Sequence, residues 1–156
     1  MEKPVARHLP SRAVSFFCRI AAVGLIAAAA DKVVTITSMM NTMGIKLQAR
    51  IQAASQAGAN VTAVTTALND LGAKIGDAQT QAQNAVSTSA ALQPDNGDKT
   101  VMASNTTALK ASRTDIQTAT KDLVAARKDI ATIIAGIGKL PAASVTASST
   151  TQVQTQ

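Results

Sequence analysis

Aromatic residues are almost missing from this chain of 156 residues: there are two Phe and no Tyr or Trp. One Cys and one His leave no disulfide framework and no Cys/His metal cluster. Four Pro and eight Gly are too few for a collagen-like or Pro-rich chain. Glutamate occurs once, at Glu2, and the other eight acids are Asp. Hydrophobic residues nevertheless make up 46%. The core must therefore come from Ala, Val, Ile, Leu and Met, in a chain with room for one domain.

Charge is unevenly placed. The formal net charge is +6, from 15 Lys+Arg and 9 Asp+Glu. Lys3, Arg7, Arg12 and Arg19 against Glu2 give the first thirty residues half of that excess. The remainder has neither a Lys/Arg cluster nor aromatic stacking platforms, which argues against nucleic-acid binding.

Residues 1–30 look like an address. A basic segment leads into an uninterrupted apolar run, Ile20 to Ala30, closed by Asp31 and Lys32. Basic, apolar and small-residue regions in that order describe a bacterial secretory signal, with cleavage after Ala30. No lipobox precedes Cys18. Ile20–Ala30 as a helix would cover only ~16 Å, about half a hydrocarbon core. Extended back to Ala13 it becomes long enough for an anchor, but Arg19 then sits inside at up to ~3 kcal/mol. A third reading lets 13–30 continue the first helix and pack in the core. If the segment is cleaved, His8, Cys18, Phe16 and Phe17 leave with it.

The rest is written in heptads. Val61, Val64, Leu68, Leu71, Ile75, Ala78, Ala82, Ala85, Ser89 and Leu92 alternate by three and four, the period that keeps one seam on a partner helix. A second series runs Met102, Asn105, Leu109, Ser112, Ile116, Ala119, Leu123, Ala126, Ile130, Ile133, Ile137, Leu140. Asp115, Asp122 and Asp129 border it on one flank, Arg113 and Arg127 on the other. A weaker series is Val33, Ile36, Met40, Met43, Leu47, Arg50, Ala54, with Ile51 beside the misplaced Arg50.

These series predict an antiparallel all-α three-helix bundle over 31–140, with helices at about 31–57, 61–92 and 99–139. The second and third would be ~48 and ~60 Å long. Gly58 is expected as a left-handed C′ residue and Asn60 as an N-cap; Asp98 caps the third helix and Pro141 follows its end. Gly44, Gly72 and Gly76 each cost a helix interior ~1 kcal/mol relative to Ala, and mark either tight crossings or tolerated flaws. Residues 141–156, all Ser, Thr, Gln, Ala, Val and Pro, read as a disordered tail.

Chemistry is scarce. Without residues 1–30 no Ser-His-Asp or Cys-His set can be assembled. The third-helix Asp residues are ~10 Å apart along the axis, too far to share a proton or metal. Asp70 pairs with Lys74 at i,i+4. Asp95-Asn96-Gly97-Asp98 is a turn that lacks the calcium loop of an EF-hand. Asn60-Val61-Thr62 and Asn105-Thr106-Thr107 match a glycosylation triplet, but a cap or helix accounts for both. No phosphate-binding Gly pattern occurs. We expect no catalytic, cofactor-binding or metal-ligating residue, no cofactor and no small-molecule substrate.

Two segments, KLQARIQAASQAGANVTAVTTALNDLGAKIGDAQTQA (46–82) and TALKASRTDIQTATKDLVAARKDIATIIAGIGKL (107–140), resemble small exported helical proteins of candidate-phylum (ultrasmall) bacteria. The resemblance implies export and a helical fold and carries no activity. The expectation is thus a non-enzymatic, exported helical structural or interaction module of the cell envelope, at the periplasm or cell surface. It would self-associate or bind another envelope protein, with membrane contact through 13–30. The alternatives are an amphipathic lipid-binding protein, or a filament or phage structural subunit.

Overall fold

A 3–4 alternation of small and apolar side chains puts one stripe on a helix, and a stripe needs partners. Three helices supply them for one another. The computed structural model describes the backbone of residues 11–140 and the side chains from residue 21 onward. Over that range the chain forms α1 (Ser11–Gln56), α2 (Thr62–Ala90) and α3 (Lys99–Ile137), with no strand among the described residues. It is an all-α three-helix bundle. The expected tail, 141–156, and the basic residues 1–10 lie outside the described residues.

The core divides into two layers that reveal the helix directions. At one end Leu47 and Ile51 of α1 pack with Val64, Leu71 and Ile75 of α2 and with Ala126, Ile130 and Ile133 of α3. Toward the other end Ala30 and Val33 pack with Ala78 and Ala82, and with Ala119 and Leu123. Residue numbers therefore rise together along α1 and α3 and fall along α2: the order is up, down, up. The second layer is mostly Ala. An Ala methyl contributes about 0.8 kcal/mol and a buried Leu or Ile about 1.5–3 kcal/mol, so the Leu/Ile layer carries most of the hydrophobic stabilisation.

On α2 and α3 the buried positions follow the heptads. Val64, Leu71, Ile75, Ala78, Ala82, Ala85 and Ser89 are buried on α2, joined by Ala67, while Leu68 is half-buried. On α3 they are Asn105, Ser112, Ala119, Leu123, Ala126, Ile130 and Ile133. Helix α1 keeps one column of the expected series, Val33, Met40, Leu47 and Ala54, and departs in the other. Its seam is Ile26, Ala30, Val33, Thr37, Leu47, Ile51 and Ala54, with Met40 and Gly44 half-buried between. Ile36, Met43 and Arg50 instead stand exposed, one position before Thr37, Gly44 and Ile51.

Helix α1 also begins at Ser11, not near residue 31. Nothing between Ile20 and Lys32 breaks a helix, and Ala is its best former. The apolar run then continues the seam at the same spacing: Ile26 is 6% and Ala30 3% exposed. For residues 21–30 the structure thus shows a bundle helix. The helix from Ala21 to Gln56 is also long and apolar enough to cross a membrane by length and composition.

The ends obey local rules. Gly58 takes φ +82°. Its N–H donates to the Ser55 carbonyl and the Ala59 N–H to that of Ala54, the paired bonds of a Schellman motif. Asn60 is not itself the N-cap of α2: that position falls on Val61, and Asn60 Oδ1 accepts the Thr62 N–H at 3.1 Å, an Asx turn ahead of the helix. Asp98 does cap α3, accepting from the Thr100 and Val101 N–H groups at 2.7 and 3.3 Å. Asn96 and Gly97, both at positive φ, turn the chain between Asp95 and Asp98.

The glycines resolve into two kinds. A Cβ added at Gly72 or Gly76 would meet nothing within 4 Å, so these are flaws the helix tolerates. At Gly44 it would make ordinary contact with Leu71 Cδ2 at 3.8 Å. The tight crossing is elsewhere: a Cβ at Gly136 would overlap Val64 Cγ1.

Candidate interaction surface

The side chains that flank a seam decide what its helix shows to each neighbour. In α3 the column one position after the seam reads Thr106, Arg113, Thr120, Arg127, Ile134 at seven-residue spacing. The column one position before it reads Asp115, Asp122, Asp129. The sequence cannot say which neighbour each column meets. The structure assigns them: Thr106, Arg113 and Gln117 line a cavity with Ala22, Leu25 and Ala29 of α1, so the Arg column faces α1.

The Asp column therefore turns toward α2. Asp115, Asp122 and Asp129 are all half-buried there, as are Lys74, Gln81 and Thr88 on α2. Thr88 and Ala108, from the two facing columns, line one small cavity. Asp129 Oδ2 is enclosed without a hydrogen bond. Asp70 is exposed beside half-buried Lys74.

The matching columns of α1 are Ala22, Ala29, Ile36, Met43, Arg50 and, further out, Leu25, Lys32, Met39, Lys46. Across the α1–α3 groove neither helix offers an acid. Its upper part widens into the cavity already mentioned, about 500 Å³, floored by Ile26, Leu109 and Ile116 and edged by Lys110 and Arg113. Large apolar side chains remain in water on this side of α1, with Leu25 70% and Met39 65% exposed. The sequence series for α1 missed this because it assigned Ile36 and Met43 to the core.

Polar groups in the seam serve structure. Asn105 Nδ2 donates to the Gln93 carbonyl at 2.7 Å and its Oδ1 accepts the Gln93 N–H at 3.3 Å, tying the α2–α3 loop to the bundle. The amide nitrogen of that glycosylation triplet is thus engaged. Thr37 and Ser89 donate to carbonyls of their own helices. Ser112 is fully buried and its hydroxyl has no partner. Many exposed Thr hydroxyls, Thr35, Thr42 and Thr106 among them, donate to the carbonyl four residues earlier.

Among the described residues no three His, Cys, Asp or Glu side chains gather where a metal could sit. No family model, curated protein or solved structure matches the chain.

Proposed function

We propose that the chain is a non-enzymatic helical structural and interaction module of the bacterial cell envelope, exported and kept at the membrane by its own N-terminal segment. One observation carries this: the apolar run that reads as an address is also seam, with Ile26 and Ala30 buried against the other helices. Cleavage after Ala30 would strip both from the bundle. A segment that targets the chain and is then retained meets both demands. The length and apolarity of Ala21–Gln56 are compatible with a membrane location.

The seams, the loop clip and the caps all serve to hold three long helices in fixed register. What such an object offers is surface. Its role is to present helical faces to a partner, with no bond made or broken. The intact mass of the protein from its own cells, taken with the fraction it came from, tests the reading. Full-length protein in the membrane fraction is the expected result. A mass lacking residues 1–30 in a soluble exported fraction would overturn retention, and full-length protein in the cytosol would overturn the envelope assignment.

A further inference from the structure

We propose that the assembled bundle docks on a lipid surface bearing anionic headgroups, through the acid-free face made by α1 and α3. This deepens the envelope reading, on which it rests for its setting, by naming the partner. Taken alone, the polar residues of the chain suit a membrane poorly, because Asp is common and aromatic anchors are missing. The bundle sorts them. Asp115, Asp122 and Asp129 face α2, which leaves Lys32, Lys46 and Arg50 of α1 and Lys110, Arg113 and Arg127 of α3 on the other side.

Apolar side chains stand among those cations. Leu25 and Met39 are mostly exposed, Ile36 and Met43 more than a third, and the groove between the helices opens beside Lys110 and Arg113. Long basic side chains lay their stems along apolar surface and hold their charges at headgroup level, while the apolar groups between them enter the acyl boundary. Charge complementarity selects the anionic surface: six cations and no acid repel a basic partner and give a neutral bilayer little to hold. Asp31 and Ser38 stand about 100° round α1 from Lys32 and Met39, away from this face, in a column that also holds the exposed Ile45. The bundle need not open, since its seam residues remain buried during docking.

The experiment uses the full chain and phosphatidylcholine vesicles with or without phosphatidylglycerol. Because the protein has no Trp, Met39→Trp places a single reporter on the face and Ser38→Trp one on the side of the same helix away from it. Sedimentation with anionic vesicles alone is expected, weakening as salt rises. A blue shift is expected from Met39→Trp but not from Ser38→Trp. Lys110→Gln and Arg113→Gln should each lower the vesicle partition roughly five-fold. Lys121→Gln and Lys128→Gln, the same charge change on the outer side of α3, should leave it nearly unchanged.

Equal binding to neutral vesicles, equal shifts from both reporters, or no binding would overturn the proposal. So would a Met39→Trp shift that appears with protein concentration before vesicles are added, because a second copy would then cover the face. Failure here leaves the cellular fraction unaffected, so the two readings fail separately.

Discussion

Gly136 and the two open glycines of α2 pose the same substitution in opposite surroundings. Ala in place of Gly stabilises a helix interior by about 1 kcal/mol. At Gly72 and Gly76 the new methyl meets nothing within 4 Å. Each Ala should therefore add close to the full amount, about 2–4 °C in Tm for a chain of this size. At Gly136 the methyl overlaps Val64 Cγ1. Val64 sits in the Leu/Ile layer of the core, and forcing such a layer apart costs about 1–3 kcal/mol. The propensity gain is also reduced, since Gly136 lies in the last turn of α3. Gly136→Ala should thus lower stability by about 1–2 kcal/mol. Urea unfolding followed by helical circular dichroism measures all three variants. A cycle with Val64→Ala isolates the overlap: in that background Gly136→Ala should turn neutral or stabilising, with a coupling of about 1–3 kcal/mol. Equal gains at all three glycines would refute the close crossing of α2 and α3.

Two further substitutions test the polar seam. Ser112→Ala removes a buried hydroxyl that has no partner. It should raise stability by about 1–3 kcal/mol in the same urea assay, from the lifted desolvation cost and the better helix former. Asn105→Ala breaks both bonds to the Gln93 backbone. A loss of about 1–3 kcal/mol is expected, together with faster amide exchange at Gln93.

How much of this was readable depends on the helix. Along α2 and α3 the seam positions are nearly all apolar or Ala and keep their spacing for many turns, so pattern and burial coincide except at Met102, which opens the α3 series and stands exposed. Helix α1 misleads because Ile36 and Met43 are more apolar than Thr37 and Gly44 beside them, so hydropathy points to the wrong column. The misfit of Arg50 next to Ile51 is the clue: moving Ile36, Met43 and Arg50 one residue on, to Thr37, Gly44 and Ile51, removes it, while Val33, Met40, Leu47 and Ala54 keep their places and run on to Ala30 and Ile26. Thr37 is buried with its hydroxyl bonded to the Val34 carbonyl, and hydropathy does not register that a Thr satisfied within its own helix can serve as seam. Gly136 is hidden as well, since hydropathy is silent about a glycine in the last turn of α3 and only the antiparallel register brings it to Val64. The sorting of Asp from Lys and Arg was half visible. Both flanking columns of α3 stand in the sequence, but which helix each one meets is a property of the assembled bundle.

The central claim is that residues 21–30 belong to the bundle as the first part of α1. Amide hydrogen exchange, compared between the full chain and a chain starting at Asp31, tests it most directly. Thr106 to Gln117 lie across the groove from Ala22 to Ala29, while Val64 to Ile75 and Ala126 to Ile133 pack with Leu47 and Ile51, far along the helix. The shortened chain should lose protection over 106–117 and the facing end of α2, and keep it in the Leu/Ile layer. Unchanged protection over 106–117 would contradict the account and leave residues 1–30 as an address alone.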